Sequence, residues 1–288
     1  MKLAICLFGN IGIPQSASLR QDGVKLLKES EKASTDPEIC FQAIKKHFID
    51  KYETDIFIHS WSINYENILK DIYNPKDYKF ENQIDFSTSL KKYGISDSNL
   101  IDDWDVSKLA KASYELLLPS RKSVENVKKE LVNLAFRTHS RWYSTQESVK
   151  LMSLYANSNS IEYDYVLLTR FDCLFKKPIN LASLDSNNFY CSHRKNREDY
   201  EMALFDLFFL SSQENIQKFS QLYENIYNYS IRPTFASMEH ALTFLQKNEI
   251  KNILDIKDDY EKAIGNVQAD KKNFNILSKL FKKISNQF

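Results

Sequence analysis

Short apolar runs, separated by amphipathic or polar segments, recur along the chain. Three of them cover residues 3–8, 54–61 and 165–168. They are too short for typical helices, rich in β-favouring residues and soon ended by turn-forming or charged ones, which predicts buried strands. A fourth run, residues 203–210, places seven apolar residues around a single carboxylate, Asp206.

The segments between these runs carry apolar side chains at helical spacing. Residues 37–52, 123–138, 141–157 and 214–229 are predicted helices with lysines or other polar residues on their outer faces. Alternation of strand and helix predicts an α/β fold of Rossmann type, with a mostly parallel sheet and right-handed crossovers. Residues 62–140 are polar and Lys-rich. We interpret them as an insertion that partly covers the ligand site expected at the ends of the strands.

Charge and composition narrow the class of protein. A net charge of +1 over 288 residues argues against a general nucleic-acid binder. Four well-separated cysteines and five glycines argue against a zinc site, a disulfide framework or a glycine-rich phosphate loop. No apolar segment approaches the roughly 20 residues needed to cross a bilayer. The expectation is therefore a cytoplasmic protein, with one domain over residues 1–270.

The tail, residues 271–288, contains five lysines and no acidic residue, with apolar positions three or four apart. Such a basic amphipathic helix suits the surface of an anionic membrane. Packing of the same helix on the domain explains the pattern equally well.

Arg170 and Asp172 follow the run at residues 165–168. Residues two apart on an extended backbone point to the same side. Ligands of open α/β sheets bind beyond the carboxyl ends of the strands, so both side chains are expected at a ligand site. The alternative is a salt bridge that caps a core strand.

Two further carboxylates are candidates. Asp206 is costly to bury unless it is paired, hydrogen-bonded or bound to metal; its alternatives are an outward-facing residue on an edge strand or a helix cap. Glu239, near the start of a short predicted helix, either complements the helix dipole or faces the site with Asp206. His59 is interpreted as a satisfied, hydrogen-bonded histidine and Trp61 as a core residue.

The first predicted strand ends at Gly9, and a polar loop with Arg20 follows. The hydroxyls, backbone N–H groups and guanidinium of this loop suit a phosphate. A plain strand-to-helix connection is an equal alternative, because the full Gly-x-Gly-x-x-Gly spacing is absent.

The order of these predicted strands, helices and charged motifs resembles that in a family of bacterial GT-A-like glycosyltransferases of capsule and lipooligosaccharide synthesis. Its most specific part is the Tyr-Asp-Tyr-Val to Arg-x-Asp run at residues 163–172, followed by the run around Asp206. The other matching pieces are Gly9 with Arg20, residues 55–61, residues 141–144 and the helix of Glu239.

The resemblance implies a nucleotide-diphosphate sugar donor, bound over the sheet by Gly9, Arg20, Arg170 and Asp172. An Asp-x-Asp element usually holds Mn²⁺ or Mg²⁺ in such folds; here Arg170 replaces its first residue, which leaves Asp172 for the ion and Arg170 for the leaving diphosphate. In an inverting reaction, Asp206 is the first choice of base and Glu239 the second.

The acceptor implied by the resemblance is a growing surface glycan or a lipid-linked glycan. The protein would work in the cytoplasm and contact the inner membrane through residues 271–288. Two alternatives stay open. One is a phosphoryl or nucleotidyl transferase that binds its substrate through the same Arg170 and Asp172, and the other is a non-catalytic partner in glycan assembly.

Overall fold

A seven-stranded sheet forms the centre of the protein in a computed structural model. The structure describes residues 1–11, 37–86, 124–193, 204–226, 241, 244–245, 253–255 and 264–266. Within these ranges, only the backbone is described for residues 124–135, 192–193, 204–206, 253–255 and 264–266.

The strands are β1 (Lys2–Gly9), β2 (Glu53–Ser60), β3 (Asp77–Phe80), β4 (Tyr165–Arg170), β5 (Cys173–Phe175), β6 (Phe189–His193), β7 (Leu204–Ser211), β8 (Ile253–Asp255) and β9 (Ile264–Asn266). The α-helices are α1 (Pro37–Ile44), α2 (Glu66–Tyr73), α3 (Val124–Asn159) and α4 (Gln213–Ser220). A π-helical turn, Lys45–Ile49, extends α1, and short 3₁₀ turns lie at Ile63–Tyr65 and Leu181–Ser183.

The strand order of the main sheet is β3-β2-β1-β4-β7-β6-β8. Its first four strands are parallel, β7 runs antiparallel to both neighbours, and β8 is parallel to β6. Strands β5 and β9 form a separate antiparallel pair. The fold is therefore α/β, with a mostly parallel sheet and flanking helices, as the alternating sequence pattern predicts.

Alternate side chains of the strands enter two apolar cores, one on each face of the sheet. On one face, Leu3, Ile5 and Leu7 pack with Ile44 and Phe48 of the first helical segment. On the other face, the alternate β1 residues Ala4, Cys6 and Phe8 belong to the cluster that contains Trp142, Val149 and Met152 of α3. The continuous apolar run of β1 follows from this two-sided burial, which is typical of parallel strands.

The segment interpreted as an insertion, residues 62–140, is described by the structure over residues 62–86 and 124–140. They supply α2, the sheet strand β3 and the first half of α3. The two helices predicted at 123–138 and 141–157 are one continuous helix of 36 residues. The described part of this segment is thus integral to the sheet and its cover.

Several predicted features lie outside the described residues. They are Arg20, Glu239 and the basic tail at residues 271–288. Among the helices that are described, none is both long and apolar enough for a membrane span.

Candidate functional site

The carboxyl ends of β1 and β4 form the point at which the strand order reverses. From β1 the chain crosses to β2 through α1 on one face of the sheet, whereas α3 returns it to β4 over the other face. In open α/β sheets, a crevice opens outside the carboxyl ends of the strands at such a switch point. Gly9 ends β1 here and Arg170 ends β4, and Phe8 pairs with Arg170 in register.

Gly9 is held through its backbone at this point. Its N–H donates to Ser144 Oγ at 2.8 Å, and its carbonyl accepts from Ser60 Oγ at 2.8 Å and from the Trp61 N–H at 3.3 Å. Its φ of +97° is a backbone conformation that residues with a Cβ rarely adopt. Gly9 therefore turns the chain out of β1 in a fixed direction, which explains why a glycine stands here.

Arg170 and Asp172 form a bidentate ion pair at the end of β4. Arg170 Nε donates to Asp172 Oδ1 at 2.7 Å, and a terminal guanidinium nitrogen donates to Oδ2. The carboxylate is almost fully buried, whereas 30% of the Arg170 side chain is exposed. The two side chains share one side, as the spacing predicts, and both carboxylate oxygens contact the guanidinium.

Phe171, between them, fixes the turn. Its ring is fully buried on the opposite face and meets the Tyr73 ring edge-on, with centroids 5.9 Å apart. Directly after Asp172 the chain enters β5, which belongs to the second sheet. The Arg170–Asp172 pair thus lies where the chain leaves the main sheet.

The backbone of Asp206 lies near the carboxyl end of β4, at the same end of the sheet as Arg170 and Asp172. It is two residues before Phe208, whose Cα pairs with that of Thr169 near the end of β4. Strand β7 lies between β4 and β6, so the alternative of an edge strand is excluded. The topology therefore brings the Asp206 backbone near the Arg170–Asp172 pair, while its side chain is outside the described residues.

A buried histidine links three elements beside Gly9. His59 Nδ1 is 2.7 Å from Ser144 Oγ, and His59 Nε2 is 2.9 Å from Glu81 Oε1. Burial lowers the pKa of His59 below 6.5, although Glu81 acts in the opposite direction. The ring is therefore neutral near pH 7: Nε2–H donates to the carboxylate, and Nδ1 accepts from the Ser144 hydroxyl.

This serine, histidine and glutamate series is a structural support, as the sequence predicts for His59. Both Ser144 and His59 are fully buried, and the Ser144 oxygen already accepts the Gly9 N–H. A nucleophilic serine must reach a substrate, which this one does not. The series instead fixes the end of β1 relative to β2 and α3.

Lys79 of β3 continues the network toward the surface. Its Nζ contacts Glu147 at 2.8 Å, Glu81 at 3.1 Å and the Tyr143 hydroxyl at 3.1 Å. Burial acts to lower the pKa of Lys79, but its hydrogen bonds to these three groups outweigh it and raise the pKa. Burial likewise opposes ionisation of Glu81, whose pKa is nevertheless lowered by hydrogen bonds from His59 and Lys79.

Trp61 is a core residue, as predicted. It is 5% exposed and stacks on Tyr143, with ring centroids 5.4 Å apart. Tyr143 also meets the rings of His59, Phe86 and Tyr223. This aromatic cluster anchors α3 over the carboxyl end of β2.

Arg141 is the second arginine of the described residues at the switch point. Its guanidinium carbon lies 4.9 Å from the ring centroids of both Phe8 and Trp142. Contact with Phe8 places it at the carboxyl end of β1, on the α3 side of the sheet.

Sequence reasoning named residues 141–144 as part of the resemblance but gave Arg141 and Ser144 no role at the site, and it did not single out Lys79 or Glu81. A signal for Lys79 and Glu81 exists, because they alternate with Tyr78 and Phe80 in a strand-like pattern. Arg141 and Ser144 lie three residues apart on one helix, so a shared face was also predictable.

The described residues do not offer a ready metal site. No group of three or more His, Cys, Asp or Glu side chains suited to an ion occurs among them. Both oxygens of Asp172 contact Arg170, so a cation at Asp172 would have to displace the guanidinium.

Comparison with known proteins adds no family to this picture. No protein-family model matches the chain, and no curated protein matches it significantly. A function must therefore be inferred from the residues and their arrangement.

Proposed function

We propose that this protein is a GT-A-like glycosyltransferase, which moves a sugar from a nucleotide-diphosphate donor to a growing surface glycan. The observation that supports this most is the switch point, where Gly9 and Arg170 end adjacent parallel strands. Nucleotides bind at such points in open α/β sheets. An arginine at this place provides the charge and the paired N–H groups that suit a diphosphate.

Arg170 would act on the leaving group. When the bond between the sugar C1 and the diphosphate oxygen breaks, negative charge develops on that oxygen. A guanidinium held in place by Asp172 stabilises this charge without reorganising. The ion pair thus supports a role for Asp172 in orienting Arg170.

A carboxylate would activate the acceptor in an inverting reaction. The acceptor hydroxyl oxygen forms the new bond to C1, and its proton passes to the carboxylate. Asp206 is the first candidate, because its backbone lies at the same sheet edge as Arg170, and Glu239 is the second. In a retaining reaction, neither residue has this role.

A thermal-shift screen of nucleotide sugars, with and without Mn²⁺, tests the proposal. A ligand that binds the folded protein raises its unfolding temperature. The expected result is stabilisation by one class of nucleotide sugar, followed by release of nucleoside diphosphate when a glycan acceptor is added. No stabilisation by any donor would contradict a transferase and favour the non-catalytic assembly role.

The nature of the released product separates the transferase classes. A glycosyltransferase leaves a glycosidic bond and releases the diphosphate. Release of pyrophosphate or transfer of a phosphoryl group would instead support the phosphoryl or nucleotidyl alternative.

Substitution Asp206→Asn tests the base. We predict a fall in kcat of about a hundredfold or more, with little change in donor affinity, because only proton transfer is lost. Asp71→Asn, at an exposed position of α2, is the matched control and should keep full activity. An Asp206→Asn enzyme with normal kcat would remove Asp206 from this role.

A further inference from the structure

A second guanidinium lies at the switch point, one strand away from Arg170. The Arg141 guanidinium lies over the ring of Phe8, and Phe8 pairs in register with Arg170. Paired residues of neighbouring parallel strands project from the same face, and the strands are about 5 Å apart. Phe8 belongs to the α3-side cluster, so both arginines lie on that side of the carboxyl ends of β1 and β4.

The two guanidinium groups are held by different contacts. Arg170 is oriented by the bidentate bond to Asp172, whereas the Arg141 guanidinium carbon lies 4.9 Å from the ring centroids of both Phe8 and Trp142. A guanidinium is planar and carries five N–H donors, which match the oxygens of a phosphate. Two such planar groups at one crevice suit an anion with several oxygens.

We propose that Arg141 and Arg170 together hold the diphosphate of the sugar nucleotide, in place of a divalent cation. This inference rests on the proposed function. The two guanidinium groups would offset part of the negative charge of the donor diphosphate, since Asp172 already neutralises one of the two positive charges. A divalent ion would otherwise perform this task. Asp172, with both oxygens on Arg170, is then a positioning residue and not a metal ligand.

Calorimetric titration of the full chain with UDP, GDP, ADP and dTDP, in EDTA and in excess MnCl₂, tests this inference. At least one nucleoside diphosphate should bind the wild-type protein with affinities that agree within about twofold in the two buffers. Arg141→Met should weaken this binding about tenfold or more, because a charge-assisted contact is lost. Arg137→Met removes the same charge from an exposed position one turn earlier on α3 and should change affinity less than about twofold.

Arg141→Lys provides a second variant that keeps the charge and loses the planar fork. Circular dichroism establishes that each variant is folded, and we expect Arg141→Lys to bind more weakly than wild type in both buffers. Normal affinity in the folded variants at Arg141 would overturn its role.

Asp172→Asn distinguishes a positioning residue from a metal ligand. As a positioning residue, it should weaken binding to the same extent in EDTA and in MnCl₂. Binding by wild type only in MnCl₂, or a loss in Asp172→Asn seen only in MnCl₂, would overturn the inference and leave the glycosyltransferase proposal standing. If no nucleoside diphosphate binds in either buffer, both proposals fail.

Discussion

Gly9 leaves β1 with a φ of +97°, and its backbone donates to Ser144 and accepts from Ser60 and Trp61. A Cβ added to Gly9 would meet no atom within 4 Å. Any cost of a side chain at this position is therefore conformational strain and not a steric clash. This single residue sets the direction in which the chain enters the switch point.

Gly9→Ala should lower the free energy of unfolding by about 1–2 kcal/mol, since a Cβ disfavours positive φ. Urea denaturation measures the change. Ser160→Gly is the reciprocal control, because Ser160 has a φ of +53° at an exposed position after α3 and should be stabilised or unaffected by glycine. A Gly9→Ala protein as stable as wild type would contradict the role given to this residue.

His59 makes stability depend on pH. Its pKa is lowered by burial, so the unfolded chain takes up a proton near pH 6.5 that the folded protein does not. The unfolded state then binds more protons, and the free energy of unfolding falls as pH falls below about 6.5, by at most about 1.4 kcal/mol per pH unit for one group.

Urea denaturation between pH 5 and pH 7.5 measures this slope. His59→Gln should have a shallower slope than wild type. His47 has a pKa lowered by burial and by Lys46 and Lys51, so it contributes with the same sign in both proteins and cancels in the comparison. Equal slopes for wild type and His59→Gln would contradict a neutral, buried His59.

Strand β3 is attached to the rest of the molecule in two ways. It pairs with β2 in the sheet, and its Lys79 side chain contacts α3. Lys79 joins Glu81, just after its own strand, to Glu147 of α3, so an edge strand and a long helix share one cation. The Glu147 pKa is lowered mainly because hydrogen bonds from Lys79 and Lys150 outweigh its burial. The pairing is thus a link between elements, placed beside the site and not inside it.

Lys79→Met should destabilise the fold by roughly 1–2 kcal/mol, because two partly buried carboxylates lose their shared partner. Lys150→Met is the matched control, since Lys150 also contacts Glu147 at 3.1 Å but is half exposed. It should cost roughly 0.5 kcal/mol or less. Equal losses for the two variants, measured by thermal or urea unfolding, would refute the link between β3 and α3.

Sequence reasoning found the strands whose own residues form a recognisable apolar pattern. Strands β1, β2, β4 and β7 each contain a local apolar run, because the central positions of these strands are buried on both faces of the sheet. Strand β3 has four residues, none of them fully buried, and the sequence placed it within an insertion. Its pairing with β2 depends on tertiary contacts that no local pattern contains.

The same distinction applies to the site. The proximity of Arg170 and Asp172 was predictable, because they follow a recognisable strand and lie two residues apart. The contact between Ser144 and His59 joins residues 85 positions apart, and that between Arg141 and Phe8 joins a helix to a distant strand. Such groups meet only after α3 packs on the sheet, so periodicity alone does not reveal them.

At the scale of the whole molecule, the proposed function depends on the topology of the sheet. The crossovers on either side of β1 lie on opposite faces, which leaves the carboxyl ends of β1 and β4 together at the point where the strand order reverses. The chain supplies this point with a positive-φ glycine, two arginines and the start of β7. These features lie far apart in the sequence, and the fold brings them together at the carboxyl ends of β1 and β4.

A crystal structure of the protein with the nucleoside diphosphate that stabilises it most is the direct test. The glycosyltransferase proposal predicts a diphosphate outside the carboxyl ends of β1 and β4, within hydrogen-bonding distance of the Arg170 guanidinium. A nucleotide bound at another surface, with Arg170 and Asp172 still paired and remote from it, would contradict the proposal.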